Sequence, residues 1–150
     1  MNILFVCLGN ICRSPAAQGV ARVMLANNSR IIRIDSAGIG NWHEGQAPNQ
    51  TMQKVAAAAG FPIGDLRARQ VTASDFCEFD YIFGMDRQNI ADLQALQAVH
   101  GGKAQVLLLL DKAGAATDEV PDPYYGGFDG FVESFELIRM GVESMVRSYI

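Results

Sequence analysis

Apolar residues along this chain alternate between short continuous runs and longer stretches of helical periodicity. The short runs are rich in aliphatic and β-branched side chains, which predicts strands that are buried on both faces. They are Ile3–Val6, Ile31–Asp35, Tyr81–Phe83 and Gln105–Leu109. The longer stretches predict helices at about Pro15–Ala26, Pro48–Ala59, Gln88–Leu96 and Gly130–Arg147.

Local signals at the helix ends agree with this pattern. Ser14 is a good N-cap for the first helix, with Pro15 tolerated in its first turn. Gly60 ends the second helix. In the last helix the apolar residues recur every three or four positions and share one face: Phe131, Phe135, Ile138, Val142 and Met145.

The alternation of strands and helices predicts an α/β fold with a parallel sheet, because parallel neighbours need a crossover connection. No internal repeat or linker interrupts residues 1–150, so we expect a single domain. In such sheets a ligand binds beyond the carboxyl ends of the strands, where the strand order reverses. Functional residues are therefore expected at 7–14, 36–45, 84–89 and 110–127.

Composition narrows the classes of function. The chain has 150 residues, 49% of them hydrophobic and 19% charged, which is typical of a globular protein. Its net charge of −4 argues against nucleic acid or an anionic membrane as a partner. The longest apolar run, Val106–Leu110, is too short to cross a bilayer.

Cysteine and histidine usage adds two expectations. Three cysteines, an odd number, suggest reduced thiols and a cytoplasmic location. With only His43 and His100 and no close cysteine pair, we expect neither a metal site nor a cofactor.

The segment Cys7-Leu8-Gly9-Asn10-Ile11-Cys12-Arg13-Ser14, between the first strand and the first helix, predicts a loop that binds an oxyanion. Its backbone N–H groups and the open helix N-terminus supply donors and a positive dipole. Arg13 adds a planar fork that binds two oxygens at once. A cysteine at the bottom of such a bowl favours the thiolate, so Cys7 is a candidate nucleophile for a bound phosphate.

Asp122, after the fourth strand, is the candidate proton donor. Prolines on both sides and two following tyrosines, Tyr124 and Tyr125, predict an apolar neighbourhood at the mouth of a cleft. A carboxyl group there serves as acid toward the departing oxygen and then as base toward water. The alternative is that this segment is only a turn, since Asp and Pro are common turn residues.

Other candidates have both a functional and a structural interpretation. Trp42, the only tryptophan, lies in a polar glycine-rich loop and is better explained as a wall for a flat substrate than as core packing. Ser14 and Ser36 either brace the phosphate loop or serve as a cap and a strand end. The remaining candidates are assigned structural roles: His43 as a surface residue, Asp86 as a helix cap, Arg67 and Arg69 as solvated charges, and Cys77 as a packing residue.

Over its full length the chain resembles the low-molecular-weight protein tyrosine phosphatase family. The resemblance rests on the phosphate loop and on further landmarks in the same order. These are Val6–Pro15, Asp35–Gly38, Asn41–His43, Arg67–Gln70, Met85-Asp86 and Asp122–Tyr125. It implies a three-layer, four-stranded parallel sheet with helices on both faces (flavodoxin-like or Rossmann-like) and hydrolysis of phosphotyrosine without a metal.

The same resemblance implies residue roles. Cys7 is the nucleophile that forms a phosphocysteine, Arg13 the phosphate clamp and Asp122 the acid and base. Asn10, Ser14 and Ser36 hold the loop, while Trp42 and Tyr124, with Tyr125 beside them, bind the phenyl ring. Cys12 pairs reversibly with Cys7 under peroxide. Many members carry His where this chain has Leu66, which removes one anchor of the loop around Asn10.

Partners follow from the resemblance too: a phosphotyrosine-containing protein, for instance an autophosphorylated tyrosine kinase, with inorganic phosphate as product. Three rival interpretations remain. A thiol-dependent arsenate reductase needs two further neighbouring cysteines, but Cys77 stands alone. A phosphoarginine phosphatase favours a hydroxyl residue at the position of Ile11. A non-enzymatic phosphotyrosine-binding module needs neither Cys7 nor Asp122.

Overall fold

A computed structural model describes residues 1–150, with the side chain of Tyr125 outside the description. The four strands are all parallel, in the order β2-β1-β3-β4. They are β1 (Asn2–Cys7), β2 (Arg33–Gly38), β3 (Tyr81–Gly84) and β4 (Gln105–Leu108). The predicted four-stranded parallel sheet is confirmed.

The second strand begins and ends later than predicted. Pairing with β1 joins Asn2 to Arg33 and Cys7 to Gly38, so the ladder covers the polar segment after the two isoleucines. The side chain of Ile32 is 81% exposed. Register with the neighbouring strand, rather than local hydrophobicity, sets these bounds.

The helices cover most of the predicted segments. They are α1 (Arg13–Met24), α2 (Gln50–Ala58), α3 (Asp75–Glu78), α4 (Arg87–His100) and α5 (Gly127–Tyr149), with a 3₁₀ helix at Pro123–Tyr125. The short helix α3 was not predicted, since four residues are too few for a periodic pattern. Gly60, with φ of 93°, follows the end of α2 as predicted.

Alternate residues of β1 point to opposite faces of the sheet and divide the core in two. Ile3 and Phe5 pack with α1, α2 and α5, whereas Leu4 and Val6 pack with the α3–α4 side. The predicted apolar face of α5 is confirmed, because all five of its residues are buried. Helices therefore cover both faces, and the fold has three layers.

After β1 the chain adds β2 on one side of β1 and β3 on the other, so the strand order reverses between β1 and β3. The carboxyl end of β1 therefore lies at the position where such sheets bind ligands. The chain leaves β1 at Cys7 and enters α1 at Arg13. The predicted phosphate loop therefore occupies the site that this class of sheet uses for ligands. None of the helices in the described part of the chain is both long and apolar enough to span a membrane.

Candidate active site

In the loop between β1 and α1, carbonyl groups are bound to neighbouring segments while the N–H groups are left without acceptors in the described chain. The carbonyl oxygens of Cys7, Leu8 and Ile11 accept from Ile39 N, Gly40 N and Asn49 N at 2.7–3.0 Å. Among the described residues, no acceptor binds the N–H groups from Leu8 to Cys12. These residues, apart from Asn10, line one cavity with Cys7 and Arg13. A run of unpaired N–H groups around a cavity is an anion-binding nest.

Asn10 holds the loop in this shape. It is buried and has φ of 57°, in the left-handed region that Asn tolerates better than most residues. Its Nδ2 donates to Ser14 Oγ at 2.9 Å and to Ser36 Oγ at 3.0 Å, and its Oδ1 accepts from Arg69 N at 2.9 Å. The expected bracing residues Asn10, Ser14 and Ser36 are thus brought together.

Ser14 connects this network to Cys7, whose residue is only 3% exposed. Ser14 Oγ and Cys7 Sγ are 2.9 Å apart and share a hydrogen bond. Ser14 Oγ accepts from Asn10, and its single proton has two acceptors within reach: the carbonyl oxygen of Ala37 at 3.4 Å and Cys7 Sγ at 2.9 Å. A thiolate at Cys7 is the nearer and more strongly accepting of the two. The prediction that Ser14 caps α1 is wrong: the N-cap is Cys12, without a side-chain cap, and Ser14 lies inside the first turn.

Arg13, also buried, is bound through one nitrogen. Its Nη1 donates to Asp86 Oδ2 at 2.7 Å and to the carbonyl oxygen of Val120 at 3.0 Å. Within the described chain the Nε and Nη2 atoms donate to no other residue, so this edge of the guanidinium remains for two oxygens of a ligand. Burial lowers the pKa of Arg13, but Cys7 and Asp86 raise it by more, so the charge is permanent.

Asp86 was predicted only as a helix cap, and it is one. Its side chain accepts from Asn89 N at 2.8 Å in a capping box at the start of α4. The other carboxylate oxygen holds Arg13. This second role is missed by local reasoning, because the two residues lie 73 positions apart.

The prediction that Arg69 is a solvated charge is wrong. Its Nη1 and Nη2 donate to both oxygens of the buried Asp75 carboxylate at 3.0 Å, and its Nε donates to Asp35 at 3.2 Å. These side-chain contacts hold Arg69 in position, and so they also hold the backbone N–H that donates to Asn10. Arg67, by contrast, is exposed as predicted. Gln18 was also missed: its Oε1 accepts from Ser36 Oγ at 2.6 Å.

The cavity has a volume of about 110 Å³. Its mouth is formed by the phosphate loop, the loop after β2 and the segment around Asp122. Asp122, Trp42, Tyr124 and His43 all line it. Asp122 is exposed rather than enclosed by apolar groups, and its Oδ1 accepts from Tyr124 N at 3.0 Å, so it caps the 3₁₀ helix. The predicted contribution of Tyr125 lies outside the described side chains.

Trp42 and His43 are placed by glycines. A Cβ on Gly40 would stand 1.9 Å from the Trp42 ring, so only glycine lets the indole lie over this turn. A Cβ on Gly9 would stand 3.0 Å from the His43 ring, which packs on the phosphate loop and is half-buried. His43 Nδ1 is 3.0 Å from Gln46 Oε1.

The three cysteines are free thiols in different surroundings. Burial raises the pKa of Cys12, and Cys7 and Asp122 raise it further against the opposing effect of Arg13. Cys77 is exposed, so its prediction as a packing residue is wrong. No cluster of three or more His, Cys, Asp or Glu side chains that could hold a metal ion is found among the described residues.

The family model described as "Low molecular weight phosphotyrosine protein phosphatase" matches residues 2–149. The chain belongs to this family. The low molecular weight protein-tyrosine-phosphatase YfkJ of Bacillus subtilis is 40% identical over 99% of this chain and 95% of its own length. The predicted family and enzyme class are thereby confirmed.

Solved structures of the phosphatase family superpose over nearly the whole chain. A protein tyrosine phosphatase of Entamoeba histolytica, with Hepes in its active site, has a TM-score of 0.89 and 39% identity, covering 98% of this chain and 95% of its own. A Drosophila arginine phosphatase has a TM-score of 0.93 and 30% identity, covering 99% and 98%. The same scaffold thus carries more than one phosphatase specificity.

Leu66 is partly buried and packs against the core cluster of α1, α2 and α5, so it makes an apolar contact at this position. The carbonyl oxygen of Asn10's side chain is held here by the Arg69 N–H. The Arg69–Asp75 pair supports that donor, so the loop keeps a rigid attachment.

Proposed function

We propose that residues 1–150 form a single phosphatase domain that hydrolyses phosphotyrosine in proteins through a phosphocysteine intermediate. One observation carries the proposal. The loop residues with unpaired N–H groups, apart from Asn10, line one cavity together with Arg13, whose Nε and Nη2 donate to no other described residue, and with Cys7 and Asp122. Donors for three phosphate oxygens, a nucleophile and a proton carrier are thus present together.

In the first step, the loop and Arg13 bind the phosphate oxygens and hold phosphorus over Cys7. The Cys7 thiolate attacks phosphorus in line, an S–P bond forms, and the P–O bond to the phenol breaks. Asp122 gives its proton to the departing phenolic oxygen. The Ser14 hydroxyl, 2.9 Å from Cys7 Sγ, supports the thiolate before attack.

In the second step, the ionised Asp122 takes a proton from water, which attacks phosphorus as the S–P bond breaks. Inorganic phosphate is released, and the Cys7 thiolate and protonated Asp122 are restored. The donors around the cavity stabilise the charge on the equatorial oxygens in both steps. We expect activity to persist in the presence of a chelator, since no step uses a metal.

The aromatic rim supports a phenyl ester as substrate. Trp42 and Tyr124 both line the cavity and are largely exposed, so aromatic surface borders the place where a phenyl ring would enter. Phosphoarginine is the alternative, supported by the superposition with the Drosophila arginine phosphatase. Ile11 lines the cavity of this chain where a hydroxyl residue would favour that substrate.

Cys12 is proposed as the redox partner of Cys7. Both cysteines line the same cavity, and the raised pKa of Cys12 keeps its thiol protonated during catalysis. After peroxide converts Cys7 to a sulfenic acid, condensation with the Cys12 thiol releases water and forms a disulfide. Free thiols of this kind are typical of a reducing compartment, and we propose a cytoplasmic location and a phosphotyrosine protein, such as a kinase, as partner.

The test is a comparison of three peptides of one sequence that carry phosphotyrosine, phosphoserine or phosphoarginine. The wild-type protein should release phosphate from the phosphotyrosine peptide alone. Cys7→Ser should lose this turnover while still binding phosphate. Faster hydrolysis of phosphoarginine, or turnover retained by Cys7→Ser, would overturn the proposal.

A further inference from the structure

An apolar groove lies between α2 and α5, outside the cavity just described. Val55 and Ala58 of α2 form one wall, Phe128 and Val132 of α5 the other, and the buried Phe135 the floor. We call it the α2–α5 groove. Phe128 is 61% exposed and Val132 beside it 37% exposed, so the groove presents adjoining apolar side chains to solvent.

Both walls of the α2–α5 groove lie close along the chain to residues of the active-site cavity. Asn49, the N-cap of α2, lines the cavity, and Val55 and Ala58 follow on the same helix. On the other side Tyr124, in the 3₁₀ helix, lines the cavity, and Phe128 lies four residues later, in the first turn of α5. The helix α2 therefore begins directly after a cavity residue, and α5 begins three residues after one.

The dimensions fit a peptide in extended conformation. A helix rises about 1.5 Å per residue, so Val55 and Ala58 lie about 9 and 14 Å along α2 from Asn49. An extended peptide advances about 3.3 Å per residue. A side chain about three or four positions from a phosphotyrosine in the cavity therefore reaches the groove.

One basic and one acidic side chain border the α2–α5 groove. Lys54 borders it on α2, and Glu136 borders it on α5, two turns beyond Phe128. An acidic residue of a bound peptide would meet Lys54, which is a favourable rim interaction. The apolar position next to it would contact Phe128 and Val132.

We propose that the α2–α5 groove binds the substrate segment next to the phosphotyrosine and selects an apolar residue about three or four positions away. The inference rests on the proposed function, because it places that phosphotyrosine in the cavity. Phe128 is then a specificity-determining residue that touches the substrate outside the reacting group.

The test uses phosphotyrosine peptides in a serine background, with one leucine moved through the positions up to about five residues away on either side. Leucine at one position about three or four residues from the phosphotyrosine should raise kcat/KM about tenfold, since apolar pockets discriminate on this scale. Phe128→Ala and Val132→Asp should remove the preference. Both should leave kcat/KM for p-nitrophenyl phosphate unchanged, which also reports that they fold.

Val99→Ala is the matched control, because Val99 is 78% exposed and lies on α4, away from both sites. It should keep the leucine preference. Equal kcat/KM for all leucine positions would overturn the inference while leaving the proposed function intact. Failure to hydrolyse any phosphotyrosine peptide would instead overturn the proposed function. The groove could instead pair two copies of the chain. A dimer that Phe128→Ala dissociates, with the peptide preference unchanged, would show this and would overturn the inference.

Discussion

Arg13 Nη1 donates to Asp86 Oδ2 at 2.7 Å, and this contact joins the first turn of α1 to the N-terminus of α4. The second acceptor of Nη1, the carbonyl of Val120, belongs to the segment that leads to Asp122. One guanidinium thus connects the phosphate loop, α4 and the acid-bearing segment. Its orientation, and so the edge that faces the cavity, depends on Asp86.

Asp86→Asn separates the two roles of this residue. Asn is as good an N-cap as Asp, so the helix content of α4, measured by circular dichroism, should be preserved. The neutral amide holds Arg13 less well, and the inhibition constant of phosphate should rise about ten- to hundredfold, as expected for a lost charged hydrogen bond. Competitive inhibition by phosphate measures it. An unchanged constant would show that Arg13 is oriented without Asp86.

Arg13→Lys should lower kcat/KM for aryl phosphates by about 100-fold or more, because a point charge cannot bind two oxygens in the plane of the fork. Steady-state kinetics with p-nitrophenyl phosphate measures the loss. Arg22→Lys is the control, since Arg22 pairs with Asp65 at 2.6 Å on the surface. Equal kinetics for the two variants would contradict the clamp.

Asp122→Ala should depress kcat/KM most for poor leaving groups, because good ones depart without a proton. For phenyl phosphate the loss should be about 100- to 1000-fold, and it should be much smaller for an ester of a strongly acidic phenol. The dependence of kcat/KM on leaving-group pKa measures this directly. A loss of the same size across the series would remove Asp122 from the role of acid.

Gly40→Ala should displace the Trp42 ring, since the new methyl group would overlap it. We expect KM for aryl phosphates to rise several-fold, about the loss of one aromatic contact, with little change in kcat. The fluorescence of the single tryptophan reports the displacement. Gly130→Ala, where the structure has room for a Cβ, is the control. Unchanged fluorescence and KM would show that Trp42 is placed by other contacts.

Cys12 and Cys77 should differ sharply toward alkylation at mildly alkaline pH. The raised pKa of Cys12 means that its thiolate fraction stays below that of an ordinary thiol, and burial also limits access. Cys77 is exposed and should react freely. Peptide mass spectrometry after a short iodoacetamide treatment in phosphate-free buffer, with fragmentation to separate Cys12 from Cys7, gives both rates. Equal rates would contradict the buried, protonated state of Cys12.

Local patterns predicted much of this molecule. The strand runs, the apolar face of α5 and the loop after β1 follow from residue type and spacing, and so does the meeting of Cys7, Arg13 and Asp122 at one edge of the sheet. These features depend on periodicity and on the general topology of parallel sheets.

Features that depend on distant partners were missed. Arg69 lies in a polar loop, and its pairing with Asp35 and Asp75 requires β2 and α3 to be in place. Serine is common at helix N-caps, but α1 begins at Arg13, so Ser14 lies inside the first turn. Its hydroxyl contacts Cys7 and Asn10 instead of capping the helix. The bounds of β2 follow the ladder with β1 and not the two isoleucines before it.

The central claim is a covalent bond between Cys7 and the transferred phosphoryl group. The most direct measurement is rapid-quench mass spectrometry of Asp122→Ala with p-nitrophenyl phosphate. This substrate needs little protonation for the first step, while hydrolysis of the adduct lacks its base, so the adduct should accumulate. The account predicts a phosphoryl group on the peptide containing Cys7, with an equal burst of p-nitrophenol. Release of p-nitrophenol with Cys7 unmodified throughout, or the group on another residue, would contradict it.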